Sequence, residues 1–246
     1  MIHIGHVREL TRYPIKSMAG ITTESALLGW HGLDGDRRFA FRRMADQSAF
    51  PWLSASRLPE LILYHPIGLD ESNGEQLPTH VLTPTGAHLE LRSAELNAEI
   101  GARFGSAVEL MQLKHGIFDE AAISVISPAT IAEIGRGAGA DLDRRRFRAN
   151  ILVETERGEP FIEDQWVGGT LVFGDGEVTS DVRPAVKVTM PDERCVMVNL
   201  DPDTAEKDAR VMKTVVRLNQ NNAGVYATVV GTGRLQVGDR VSLVES

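Results

Sequence analysis

Gly231-Thr232-Gly233-Arg234-Leu235-Gln236-Val237-Gly238-Asp239 lies between two apolar runs, Tyr226 to Val230 and Arg240 to Val244. Both runs have strand composition. The glycines and Asp239 between them supply the turn chemistry expected where the last strands of a β-barrel close. Working outward, residues 2–13 alternate as a strand and end at Tyr13-Pro14. Gly29, Gly32 and Gly35 punctuate a turn region before a strand at Arg38-Phe39-Ala40-Phe41. Further short strands are expected at Leu61 to Tyr64, Thr79 to Leu82, His88 to Leu91, Val167 to Phe173 and Val178 to Val182. Gly68 to Gly74 reads as a polar loop, and Thr83-Pro84-Thr85-Gly86 as a hairpin turn. Helix is sparse. Ser93 caps one over residues 93–104 with Gly105 as its stop, and Ser127-Pro128 opens a second that ends at Gly135. The fold class is therefore mainly β with a few short helices, and close strand spacing favours barrels or sandwiches over βαβ units. No internal repeat or long linker is present. A domain boundary falls near residues 105–118, where Gly105-Ser106 and Lys114-His115-Gly116 interrupt the pattern.

The chain has 246 residues, enough for one large domain or two moderate ones, and 42% of them are hydrophobic. A net charge of -8 argues against a general nucleic-acid binder. No apolar run approaches the ~20 residues of a membrane span, and the first residues lack the apolar core of a signal peptide. With a single cysteine, these features point to a reducing cytoplasm.

Cys195 can form no internal disulfide and no cysteine-rich zinc site. It is either an inert core residue or a thiolate that does chemistry. Arg194 beside it and Asp201-Pro202-Asp203 shortly after favour an exposed, electropositive setting, which lowers a thiol pKa. Three other segments carry anion-binding groups. In Tyr13-Pro14-Ile15-Lys16-Ser17-Met18-Ala19-Gly20, Lys16 and Ser17 can hold a phosphate or carboxylate, or remain a solvated loop. In Asp36-Arg37-Arg38-Phe39, alternation sends one arginine inward, where Asp36 or a bound anion becomes its partner. In Arg144-Arg145-Arg146-Phe147-Arg148-Ala149-Asn150, the first arginines form a basic island, either a solvated face or a docking surface for an acidic partner. Arg148 and Asn150 share one face by the period-2 rule and lead into the apolar strand Ile151 to Val153. One thiolate among several anion-binding groups suits a phosphorylated cofactor. The seven histidines form no recognisable motif around Cys195 and no pair spaced for a helical metal site.

These segments together resemble the MOSC family, named for the C-terminal domain of molybdenum cofactor sulfurase, preceded by the family's N-terminal β-barrel domain. The resemblance rests on Tyr13 to Ser17 with Gly20, on Gly32-Leu33 with Gly35 to Phe39, and on Phe147-Arg148-Ala149-Asn150-Ile151. It continues through Arg194-Cys195 with Asp201 to Thr204, and closes with Leu235 to Val241. It implies an N-terminal barrel domain over residues 1–112 and a MOSC domain over 113–246, with a molybdopterin-type cofactor bound between them. It implies Cys195 as the molybdenum ligand and sole catalytic residue. It also implies Lys16, Ser17, Arg37, Arg148, Asn150 and Arg194 as cofactor contacts. Pyridoxal phosphate binding is a further association of the family. The chain departs from related amidoxime-reducing proteins at Glu120-Ala121, where they carry Thr-Ser, at Val198-Asn199, at Ala205, where Gly is usual, and at Leu218 to Asn221.

The implied activity is an oxidoreductase that reduces N-hydroxylated or N-oxide small molecules. One cysteine cannot hold an iron–sulfur cluster and no dinucleotide fingerprint is present. Electrons would come from a separate iron–sulfur, flavin or haem protein. The alternative is a non-catalytic carrier of the molybdenum cofactor, or a sulfur carrier with a persulfide on Cys195. No nucleic-acid or membrane partner is expected.

Overall fold

A computed structural model describes residues 1–70, 76–174 and 183–245. Its organising element is a closed β-barrel of seven strands. Around the ring the strands are Ile151–Thr155, Ile123–Ile126, Asn222–Gly231, Ala185–Glu193, Thr170–Phe173, Arg240–Val244 and Ile2–Arg12, and the last pairs back onto the first. Ile123–Ile126 and Ile151–Thr155 run parallel, whereas the chain's first strand is antiparallel to both of its neighbours in the ring. Closure removes the open edges that a sheet would otherwise expose. Val7, Leu10, Val125, Val153, Leu171, Val188, Val225 and Val241 fill the barrel. The alternation expected near the N-terminus is present: Gly5 and Val7 are buried while His6 and Arg8 are exposed. The first strand thus packs with elements from beyond residue 112.

A second core forms around Ile15, Phe39, Phe41, Leu53, Tyr64, Leu96 and Ile100. It is enclosed by the pair Phe39–Arg43 and Val108–Gln112, the meander His65–Asp70, Leu77–Leu82, His88–Glu90, and helix α1, Ala94–Phe104. Ser93 caps α1 by accepting from the Leu96 N–H, and Gly105 ends it at φ 79. A third core lies under helices α2, Pro128–Ala138, and α3, Ala209–Asn219, with Ile131, Ile134, Phe147, Val211 and Val215 buried against the barrel.

Several local expectations are corrected. Residues 61–64 are not a strand but lie at a 3-10 turn, Pro59–Leu63, that Pro59 initiates and that buries Leu61 and Ile62 together. Helix α2 continues past Gly135 to a left-handed Gly139. Gly135 is instead a close-approach site, because a Cβ there would stand 2.7 Å from the Ala140 carbonyl oxygen. Helix α3 and the strands Ser25–Gly29, Val108–Gln112, Ile123–Ile126 and Ala185–Glu193 are additional elements. The stretch between the last two barrel strands holds a strand of its own, Gly233–Gln236, which pairs with Ser25–Gly29. Gly68 to Asp70 belong to a strand rather than a loop. The expected strand Val178 to Val182 and the remainder of that loop, Glu71 to Gly74, lie outside the described residues. Among the described residues no helix is long and apolar enough to cross a membrane.

The seam where the barrel closes depends on Gly5. A Cβ built there would lie 2.0 Å from the Glu154 carbonyl oxygen, on the facing strand. Gly5→Ala is expected to destabilise the protein by about 2–3 kcal/mol, the cost of a forced overpacking, read as a lowered urea midpoint with an unchanged m-value.

Candidate functional site

The first strand stops at Tyr13-Pro14 because proline cannot donate to the ladder. The chain then turns through Lys16, whose N–H donates to the Phe39 carbonyl at 2.8 Å, and Ser17, which adopts φ 68. Arg37 is also left-handed, at φ 48, and its N–H reaches the Tyr13 carbonyl at 2.8 Å. Arg148, at φ 52, terminates the 3-10 turn Arg144–Phe147. Non-glycine residues in this conformation carry backbone strain, which clusters at functional sites. Ser17, Arg37 and Arg148, with Lys16, line one cleft of about 470 Å³ that also contains Arg194 and Cys195.

Asn150 stands behind the cleft rather than in its lining. It is 1% exposed. Its Nδ2 donates to the Asp36 carboxylate and the Thr11 carbonyl, while its Oδ1 accepts from Arg37 Nη1 and the Ser124 N–H. Arg148 is not on a strand, so alternation does not fix its direction, and the shared face with Asn150 expected from spacing does not arise that way. Arg37 pairs with Asp36, as one of its two sequence readings expects. Asp36 is 1% exposed and also accepts the Tyr13 N–H at 2.6 Å.

The floor of the cleft is cationic and largely shielded from solvent. Arg148 lies 4.2 Å from the Tyr13 ring and donates to the Met18 carbonyl at 2.7 Å. Burial, with repulsion from Arg37, pushes its pKa down to about 10, so it remains charged at neutral pH. Arg37 lies 5.1 Å over the same ring. Lys16, 9% exposed, holds Asp119 at 2.7 Å. Burial raises the Asp119 carboxyl, but the charge and hydrogen bond of Lys16 outweigh it and the net pKa is lowered.

Cys195 is exposed and precedes the 3-10 turn Val196–Asn199. Arg194 does not turn its charge toward it. Its guanidinium donates to the Ala223 and Phe147 carbonyls and pairs with Asp192 at 3.0 Å, while its N–H reaches Asn221 at 2.8 Å. Arg194 is therefore a scaffold that fixes the cysteine's position. The basic island is also neutralised: Arg144 pairs with Glu9, Arg145 with Asp143 and Asp203, and Arg146 with Asp201. Sequence reading missed Asp119, Ser124, Asp192 and Tyr226, which all line the cleft. No motif marks Ser124 or Tyr226. Asp192 leaves one trace, an acid at the end of the apolar run that begins at Ala185.

Asp36 ties these parts together, so its charge is predicted to matter more than its size. Asp36→Asn should cost about 3 kcal/mol, because it leaves the half-buried Arg37 without its ionic partner, measured by chemical unfolding. The isosteric change should also weaken binding of inorganic phosphate to the cleft, measured by calorimetry.

The sequence profile of the MOSC domain matches residues 112–242, and that of the MOSC N-terminal beta barrel domain matches residues 4–66. Among solved structures, the chain is similar to the YuaD protein from Bacillus subtilis. The identity is 14%, the TM-score 0.53, and the match covers 99% of this chain and 97% of that one. It is also similar to YiiM from Geobacillus stearothermophilus, at 18% identity and TM-score 0.36, over 51% of this chain and 55% of that one. No curated protein matches the chain. The domain match spans more than half of the sequence, and the chain belongs to the MOSC family.

Proposed function

We propose that the protein binds a molybdopterin-type cofactor in this cleft and acts as a molybdenum-dependent oxidoreductase on N-hydroxylated or N-oxide small molecules. One observation carries the reading: an exposed thiol, Cys195, shares a cleft with Lys16, Ser17, Arg37 and Arg148, three of them on left-handed backbone. The donor set fits the group. A soft thiolate suits molybdenum, and two guanidiniums with an ammonium suit a phosphate. Among the described residues Arg148 has no carboxylate as a hydrogen-bond partner, so an anion completes its environment.

In this reading Cys195 would ligate the metal. Lys16, Ser17, Arg37 and Arg148 would hold the phosphate, and Asn150 would orient Arg37 from behind. When bound, the cofactor supplies the two-electron exchange that cleavage of an N–O bond requires. Within this sequence a single cysteine cannot build an iron–sulfur cluster. The electrons are therefore assigned to a separate iron–sulfur, flavin or haem protein. The reducing conditions that keep a thiol free make the cytoplasm the fitting compartment. Exposure of Cys195 also favours a second reading, a cofactor or sulfur carrier with a persulfide on that thiol.

Protein made in a host that assembles the cofactor is expected to carry near-stoichiometric molybdenum and pterin. It should reduce an N-hydroxylated compound when a chemical reductant is supplied. Cys195→Ser should abolish turnover and alter the molybdenum EPR signal, while Arg148→Gln and Lys16→Ala should lower pterin content. Pterin without turnover, with a persulfide detected on Cys195, selects the carrier. Protein free of both pterin and molybdenum refutes both readings.

A further inference from the structure

We infer that Tyr226 donates a proton to the substrate in this cleft and that Asp192 beside it is the residue that positions and reprotonates it. This rests on the reductase reading above. Tyr226 sits on the barrel strand Asn222–Gly231, directly across from Ser124 on one neighbouring strand and Met190 on the other. Cross-strand partners face the same side of a sheet, and all three line the cleft. Asp192 is 1% exposed. Its Oδ2 accepts from Ser124 Oγ at 2.7 Å and pairs with Arg194 at 3.0 Å. Its Oδ1 is buried with no hydrogen-bond partner among the described residues, and the nearby Tyr226 hydroxyl favours the ionised carboxylate. Tyr226 thus places a hydroxyl in the cleft next to a buried acid.

Of the other acids that line the cleft, Asp119, Glu120 and Glu193, two have partners of their own. Asp119 is held ionised by Lys16, and Glu193 accepts from Asn221 Nδ2 at 3.1 Å. The charged groups facing Tyr226 are Asp192, Arg194, Asp119 and Arg37, and those facing Asp192 are Arg194 and Arg37. Burial and the neighbouring carboxylates raise the Tyr226 pKa, so the phenol keeps its proton throughout the neutral range. Burial also raises Asp192, against the pull of Arg194.

The reaction needs such a source. Reducing an N-hydroxylated compound to the amine and water breaks one N–O bond and consumes two electrons and two protons. The electrons come from the separate donor protein through the cofactor. Tyr226 gives its proton to the nitrogen as the N–O bond breaks, and solvent protonates the departing oxygen to water. Asp192, protonated from solvent between turnovers, returns a proton to the phenolate.

The test compares wild type, Tyr226→Phe and Asp192→Asn as cofactor-loaded protein with a chemical reductant. Tyr226→Phe keeps the ring and is expected to retain wild-type molybdenum and pterin content. Its kcat should fall by about 10²-fold, in the range of general acid catalysis, with little change in KM and loss of the solvent deuterium isotope effect. Asp192→Asn should displace a limb of the kcat–pH profile, a shift that a purely structural role would not produce. A Tyr226→Phe protein with wild-type kcat, isotope effect and pH profile overturns the inference even if Asp192→Asn fails to fold. A cofactor-loaded wild type that reduces no N-hydroxylated compound overturns the reductase reading and this inference with it. Active wild type beside an unaffected Tyr226→Phe removes this inference alone.

Discussion

The Asp36 carboxylate is buried and must be fully satisfied, and the partners that satisfy it define the cleft. It accepts from the Tyr13 backbone, from Arg37 and from Asn150 Nδ2. Asn150 in turn reaches the Thr11 carbonyl, Arg37 and the Ser124 backbone. Apart from the adjacent Asp36–Arg37 pair, every link joins segments that are far apart in the chain, so the network locks the end of the first strand to the start of Ile151–Thr155. A buried polar network is stable only when each member is paired. Losing one link therefore loosens the Lys16-Ser17 turn and the Arg37 guanidinium together.

That network also accounts for how strained backbone persists around the cleft. Ser17, Arg37 and Arg148 are left-handed without being glycine, and each such residue costs of order 1–3 kcal/mol unless its surroundings enforce it. The enforcing contacts are those that flank the cleft: Lys16 to Phe39, Arg37 to Tyr13, and Arg148 to the face of Tyr13. The result is several partly or fully buried cations held close together. An arrangement that depresses an arginine's pKa by burial is electrostatically incomplete, and an anion is its natural complement.

The opposite wall is organised by different physics. Arg194 is buried against carbonyls and Asp192, contacts that hold the peptide before Cys195 in place. The thiol that follows it is left exposed at the cleft. A cationic floor from the early and middle chain and a thiol wall from the later chain meet only because the barrel closes, with Ile2–Arg12 hydrogen-bonded between Ile151–Thr155 and Arg240–Val244.

Sequence by itself determined the class of the fold, both caps of helix α1, the N-terminal cap of helix α2, and the short stretches that hold the cleft's ligand-type side chains. Those features are local: alternation, proline and glycine chemistry, and arginines placed where the chain cannot continue as a strand. Helix α3 escaped notice although Val211, Thr214 and Val215 follow helical spacing, because its flanks lack glycine and proline signals. Only the tertiary structure decided what each charge does. Arg194 and Arg148 look alike in sequence, and both line the cleft, yet Arg194 is paired with the Asp192 carboxylate while Arg148 lies against the Tyr13 ring. Asn150 and the arginine island are likewise assigned by partners from distant segments. Ser124, Asp192 and Tyr226 belong to no motif, and their meeting depends on the register of three barrel strands, a long-range property that no local pattern encodes.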